Sequence, residues 1–189
     1  MQDLKVIDSS TTGDPAHFRA LEDLERMLEA QPPAPTDRGR VGLVVVKGQG
    51  GRRETPDRIL LNPIAKASGN VDDDQEGGDQ LAIMQRDVAE LIANGQPISL
   101  FGDNLFLDLD LSTDNLPPGS RVRVGKAILQ VTPLPHTGCQ KFRRRFGDNA
   151  LRFVSKKELR HRNLRGIYMR VLESGEVRPG DRVEVLSRP

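Results

Sequence analysis

Cys139 is the only cysteine in the 189-residue chain, and it sits in the run Pro135-His136-Thr137-Gly138-Cys139-Gln140-Lys141-Phe142. A lone thiol has no internal disulfide partner, which leaves four roles: buried filler, nucleophile, sulfur carrier, or single ligand to a thiophilic metal. Prolines and a glycine shape a loop ahead of it, and Lys141, Arg143, Arg144 and Arg145 follow closely. Cations near a thiol favour the thiolate, the form that attacks and the form that binds metal. Free cysteine is also among the most buried residue types, so an inert core position is the competing reading. His136 and Cys139 have a His-x-x-Cys spacing that can clip a metal. A structural zinc needs four ligands, and the chain holds only His17, His136, His161 and this cysteine, so structural zinc is disfavoured.

The charge pattern supports a chemical role for this region. The formal net charge is +1, but residues 72–114 carry eleven acidic side chains and one basic, while residues 136–170 carry eleven Lys or Arg and two acidic. Such blocks point to an anionic ligand near the basic half, or to two halves that pack together and neutralise each other. Interleaved aromatics (Phe142, Phe146, Phe153, Tyr168) admit base stacking. The near-neutral chain and its acidic block disfavour a long polyanion, and Phe142 and Phe146 sit four apart, as core residues of a helical turn do. Nucleic-acid binding is therefore the lesser alternative.

These residues must be positioned by a chain with 36% hydrophobic residues and no tryptophan. That is enough for one domain plus a tail. No run approaches the ~20 apolar residues of a membrane span. With one cysteine and no targeting segment at the start, a cytoplasmic setting is expected. Asp14 as N-cap, Pro15 at the first helical position and the stripe Phe18, Leu21, Leu24, Met27 and Leu28 predict one N-terminal helix. The Gln31-Pro32-Pro33-Ala34-Pro35 run ends it. Residues 1–36 thus read as a helical extension and proline-rich connector, docking as an appendage or partner contact, and residues 37–189 as the main domain.

Beyond the connector the texture is that of strands. Residues 41–46 and 81–84 are short apolar runs, and 87–93 is a short helix stopped by Asn94-Gly95. Residues 105–111 alternate apolar and acidic, as a half-exposed strand does. Pro118-Gly119-Ser120-Arg121-Val122-Arg123-Val124 and Pro179-Gly180-Asp181-Arg182-Val183-Glu184-Val185 echo each other as Pro-Gly turns feeding strands. The first is expected to pair with residues 127–131 across Gly125-Lys126, and the second with residues 167–172. The pattern predicts a mainly β domain with helical insertions, barrel-like rather than a βαβ sheet.

Other motifs are set aside. Gly48-Gln49-Gly50-Gly51 follows a strand but opens no helix and lacks Gly-Lys-Ser/Thr, so it reads as a hairpin tip. No Gly-x-Ser-x-Gly elbow is present. Asp72-Asp73-Asp74-Gln75-Glu76 lacks calcium-loop spacing.

Several segments, in order, carry a family resemblance: Phe101-Gly102-Asp103-Asn104-Leu105, Leu116-Pro117-Pro118-Gly119, the Cys139 segment, Leu164-Arg165-Gly166-Ile167-Tyr168, and Gly175-Glu176-Val177-Arg178-Pro179-Gly180-Asp181. Together they resemble the MOSC family, the domain at the C-terminus of molybdenum cofactor sulfurases and in small stand-alone bacterial proteins. Asp103 stands where the family has Glu, and Gly69-Asn70-Val71-Asp72 stands where it usually has Gly-Asp-Arg or Gly-Asp-His. The likeness is good over residues 101–186 and loose over 41–95.

The resemblance implies a MOSC-like closed β-barrel and a molybdenum cofactor (molybdopterin). No pyridoxal phosphate or iron–sulfur motif accompanies it. Cys139 would ligate the metal, a soft ligand suited to it, or carry a persulfide. Lys141, Arg145 and Arg165 would neutralise the phosphate or pterin end, with Asp103 and Asn104 on the pocket wall. His136 would give a proton or hydrogen bond. Three roles remain open: an enzyme reducing N-hydroxylated compounds, a sulfur carrier working with a cysteine desulfurase or a molybdoenzyme, and a non-catalytic binding barrel.

Overall fold

The computed structural model describes residues 7–48, 51–63 and 80–189. A 3-10 turn at Pro15–His17 precedes α1 (Leu21–Ala30), and then come β1 (Arg38–Val44), β2 (Val46–Lys47), β3 (Arg53–Glu54), β4 (Ile59–Leu61) and β5 (Gln80–Gln85). Next are α2 (Arg86–Ala93), a 3-10 turn at Ile98–Phe101, β6 (Leu105–Leu107), β7 (Arg121–Val124), β8 (Ala127–Val131) and α3 (Gln140–Val154). A 3-10 turn at Lys157–Arg162 leads to β9 (Ile167–Glu173), β10 (Gly175–Val177) and β11 (Arg182–Ser187).

Period-2 patterning explains the barrel. β7 buries Val122 and Val124, and β8 buries Ala127, Leu129 and Val131, while the residues between them face outward. The two strands pair in antiparallel register across Gly125-Lys126, as the sequence predicts. Seven strands close in the order β1-β11-β7-β8-β9-β5-β6, and β6 returns to β1. Neighbours are antiparallel except β5 and β6, which run parallel with α2 in the crossover between them. Closure removes the free strand edges that an open sheet would expose.

Two cores share the walls of this barrel. Ile83, Leu105 and Leu107 fill its interior with Val122, Leu129 and Met169. Met84 and Phe106, pointing the other way from the same strands, pack with Leu24, Leu28, Val88, Ile92, Phe146 and Phe153 under the three helices. α1 is therefore docked on α2 and α3 through Leu24 and Leu28.

Three expectations need correction. The N-terminal helix is split: Asp14 Oδ1 accepts from Ala16 N at 2.9 Å, but only a 3-10 turn follows, and α1 begins at Leu21. Tertiary bonds hold the intervening residues extended. Arg19 Nε donates to Leu91 O (3.1 Å), Asn94 Nδ2 donates to His17 O (3.0 Å), and the Phe18 ring lies against Gly147. Residues 105–111 are not a half-exposed strand, because β6 has only three residues and all are buried, with barrel on one face and helices on the other. The acidic Asp108 beyond it is satisfied by Arg86 Nε at 2.7 Å. Finally, the two echoing Pro-Gly strands do not each form a hairpin. β11 pairs with β7, its echo, while β9 pairs with β5 and β8.

β2 and β3 pair on either side of Gly48-Gln49-Gly50-Gly51, Val46 with Glu54 and Lys47 with Arg53, while Gln49 and Gly50 themselves lie outside the described residues. The Gly69-Asn70-Val71-Asp72 element and the acidic run at residues 72–76 lie outside the described residues. No helix among the described residues is long and apolar enough to cross a membrane.

Candidate functional site

Three segments bring the site together at one end of the barrel. The loop of residues 132–139 leaves β8 and carries His136 and Cys139 into α3. Asp103 and Asn104 precede β6, and Arg165 precedes β9. Asn104 knits the strands. Its backbone N donates to Ala82 O (2.7 Å), its Oδ1 accepts from Ala82 N (3.1 Å), and its carbonyl accepts from Val45 N (2.8 Å). Gly166 fixes the approach of Arg165, with φ at +94° and the position a Cβ would take only 2.2 Å from the carbonyl oxygen of Ile83. No other residue tolerates that combination without displacing β5.

At the centre is a buried charge pair. Arg165 Nη1 donates to both carboxylate oxygens of Asp103, at 2.9 and 2.8 Å. Asp103 is 0% exposed and Arg165 is 7% exposed. The guanidinium also lies 5.9 Å from the ring centre of Phe101 and 5.4 Å from that of Phe142, within cation–π range. The acidic and basic blocks of the sequence do meet here, through this pair.

His136 sits against the pair. Its Nδ1 is 3.5 Å from Asp103 Oδ1, but no hydrogen bond forms there. Burial pushes the imidazole pKa down from 6.5 to about 4; Asp103 opposes that shift, and Arg165 and Lys47 add to it. The ring is therefore neutral at pH 7, and the contact is not an ion pair. It rests on Tyr168, with ring centres 4.3 Å apart. Burial raises the Tyr168 pKa, so the phenol keeps its proton. Two buried polar atoms in this cluster, His136 Nδ1 and Arg165 Nε, have no hydrogen-bond partner.

Cys139 is exposed and occupies the N-cap position of α3, where its side chain makes no capping bond. It lies within electrostatic reach of Arg145 and Tyr168. The buried-filler reading of this cysteine is thus overturned. Lys141 is exposed on the first turn of α3. Arg143 is also exposed and pairs with Asp148.

Arg145 is placed otherwise than the sequence suggests. It is 3% exposed, and its guanidinium donates to three main-chain carbonyls: Leu100 O (2.7 Å), Asp8 O (3.0 Å) and Thr11 O (3.2 Å). It anchors the N-terminal segment instead of facing a ligand. Asn104 likewise commits its Oδ1 to the sheet. Sequence reasoning passed over Lys47 and Arg53, whose charges reach His136 and Arg145 respectively. Their register across β2–β3 is the signal that could have found them. It also left out Tyr168 as a support for His136, although Tyr168 ends the Arg165-Gly166-Ile167-Tyr168 segment.

An open cleft of about 400 Å³ elsewhere is lined by Gly125, Lys126, Glu176, Arg178, Asp181 and Arg182. There Arg178 pairs with Glu176 at 2.7 Å, and Asp181 Oδ2 accepts from the Arg178 backbone N at 2.8 Å. It holds neither a nucleophile nor an unsatisfied buried group, so the Cys139 end is the stronger candidate.

The family model described as MOSC domain matches residues 79–184, more than half of the chain. The chain belongs to the MOSC domain family. A curated relative, the uncharacterized protein YflK of Bacillus subtilis (strain 168), is 36% identical over 88 residues, covering 47% of this chain. This chain spans only 37% of that relative's length. Among solved structures, YuaD from Bacillus subtilis is similar with a TM-score of 0.58 and 16% identity, covering 80% of this chain and 97% of that one. YiiM from Escherichia coli is similar with a TM-score of 0.51 and 22% identity, covering 79% and 71%. At these identities the structural likeness speaks for the MOSC fold alone, and MOSC domains are linked to proteins of the molybdenum cofactor sulfurase type.

Proposed function

We propose that this MOSC protein binds a molybdenum cofactor at the Cys139 end of its barrel, with the Cys139 thiolate as the protein's ligand to the metal. The observation that carries this reading is an exposed thiol beside a buried polar cluster with two unsatisfied atoms, His136 Nδ1 and Arg165 Nε. Native interiors rarely leave such atoms unpaired, and a polar ligand is one way to satisfy them.

The residues fit the group. No cluster of three or more His, Cys, Asp or Glu among the described residues could hold a metal alone. A metal that arrives with its own dithiolene ligands needs one soft protein ligand, which Cys139 offers. Arg165 Nε would donate to an acceptor on the cofactor, and Asp103 holds that guanidinium in place. Neutral His136 would serve as a hydrogen-bond partner and not as a cationic acid. Lys141 would face the anionic end as a point charge. When bound, the cofactor supplies the redox chemistry, for which N-hydroxylated compounds are the proposed substrates.

Purification of wild type and Cys139→Ala from a host that makes the cofactor tests this. The expected result is near-stoichiometric molybdenum and pterin in the wild type and loss of both in the variant. Equal cofactor in the two proteins would refute the ligand role.

The exposure of Cys139 favours a second reading, in which the thiol carries a persulfide for a molybdoenzyme partner after loading by a cysteine desulfurase. Intact-mass analysis after incubation with a desulfurase and cysteine separates the two. One added sulfur, absent in Cys139→Ala, supports the carrier, and no added sulfur excludes it.

A further inference from the structure

A strip of positive charge runs from the C-terminal turn of α3 along the 3-10 turn Lys157–Arg162. Arg152, Lys157, Arg160 and Arg162 are exposed there, and among the described residues none of their side chains has an ion-pair or hydrogen-bond partner. Residues three apart eclipse in a 3-10 helix, so Lys157 and Arg160 set like charges along one ridge. Neighbouring carboxylates are committed elsewhere. Asp148, one turn before Arg152, pairs with Arg143, and Glu25 on α1 pairs with Lys156. Glu158, the carboxylate of the turn itself, also acts on Lys156.

The fold fixes this strip in place. Leu159 packs against the core beneath the helices, the His161 carbonyl accepts from Thr113 N at 2.8 Å, and Asn163, in left-handed conformation, donates from Nδ2 to Leu111 O at 2.8 Å. α3 bends at Gly147 (φ +88°), and its second half returns to the loop that carries Cys139. The position a Cβ would take on Gly138 is 2.4 Å from Leu151 Cδ1 and 3.3 Å from Val154 Cγ2. Arg152 lies between those two residues in the chain, so the strip begins beside the Cys139 loop.

The chemistry of the strip narrows its occupant. The charges stand on a turn with no buried residue and not in a cleft, which suits a broad surface better than a small ion. Stacked bases have no platform here, since Phe153 is 0% exposed. Nor does the strip offer a bilayer an apolar wedge: Leu60, Leu134 and Leu186, the large apolar side chains exposed among the described residues, belong to other segments. A carboxylate-rich protein face needs neither feature.

We propose that Arg152, Lys157, Arg160 and Arg162 form the docking surface for an acidic face of a partner protein, which they bring against the Cys139 loop. Fixed cations of this kind steer an acidic partner and set its orientation. The chain carries a net charge of only +1, so the attraction comes from the strip and not from overall charge.

The full-length protein is titrated with a fluorescent oligoglutamate peptide of about 15 residues, with single-stranded DNA of the same charge, and with phosphatidylserine vesicles. The peptide is expected to bind in about 50 mM salt and to weaken roughly tenfold by about 300 mM. Lys157→Gln/Arg160→Gln/Arg162→Gln should lower its affinity about tenfold, and the charge-preserving Lys157→Arg/Arg160→Lys/Arg162→Lys should retain it. Arg26→Gln/Arg38→Gln/Arg121→Gln removes the same charge from arginines exposed elsewhere and should leave the affinity within about twofold. Bound peptide should also slow the alkylation of Cys139 by neutral iodoacetamide about threefold. Circular dichroism checks that each variant is folded. Absence of peptide binding, or equal losses in the two glutamine triples, overturns the proposal. Tighter strip-dependent binding of DNA or vesicles overturns the choice of a protein partner, and an unprotected Cys139 at saturating peptide overturns the placement. No cofactor enters this test, so its failure leaves the molybdenum reading standing, and the converse holds.

Discussion

Arg165 reaches Asp103 through a single nitrogen, Nη1, placed 2.9 and 2.8 Å from the two carboxylate oxygens, inside a cluster from which solvent is nearly excluded. This leaves Nε free to serve something other than the carboxylate. The pair acts as a strut between the segment entering β6 and the segment entering β9, and it sets the electrostatics around His136.

Removing one member of such a pair strands a buried charge. Asp103→Ala is expected to destabilise the protein by about 3–5 kcal/mol. The double variant Asp103→Leu/Arg165→Met should recover most of that loss, because the desolvation cost of both charges disappears. Urea unfolding of the single and double variants measures it. Equal stability of the single variant and wild type would show that the pair is not buried as described.

His136 predicts a pH dependence of stability with a definite sign. Its folded pKa, about 4, lies below the ordinary 6.5, so the unfolded chain binds the extra proton first as pH falls. Stability is full above pH 6.5, drops between 6.5 and 4, and levels off below 4 as far as this group is concerned. The displacement corresponds to roughly 3 kcal/mol. Melting curves of wild type and His136→Gln across this range should differ in slope, with the variant flatter. Parallel curves would contradict a buried neutral ring.

Gly166→Ala sets a Cβ against the Ile83 carbonyl at a backbone angle that side chains resist. A loss of about 2 kcal/mol or more is expected. Thermal unfolding would reveal it, and an unperturbed melting temperature would mean that β5 and the Arg165 turn are not in contact.

Legibility in the sequence tracked how local the determining forces are. The β7–β8 hairpin and α2 follow from a two-residue turn and from an Asn94 in left-handed conformation, both encoded within a few residues. The MOSC identity came from ordered short segments. The split before α1 was invisible, because it depends on Leu91 and Asn94, more than seventy residues away. The alternation in residues 105–111 misled for a similar reason, since both faces of β6 are covered by remote elements. The sequence named the Cys139 loop, Asp103 and Arg165, and the fold pairs the last two. The resemblance also assigned Arg145 to the anionic end of the cofactor, whereas its guanidinium partners are main-chain carbonyls that no composition reveals.

Arg145→Gln distinguishes those two roles. Hydrogen exchange should speed up in residues 7–14 while the barrel strands stay protected. An arginine serving the ligand would instead leave that segment protected and lower cofactor content.

The most direct test of the central claim is X-ray absorption at the molybdenum edge on cofactor-loaded protein, comparing wild type with Cys139→Ser. The account predicts that the variant loses one sulfur scatterer from the metal's shell. An unchanged sulfur shell, with molybdenum still bound, would show that Cys139 is not the ligand.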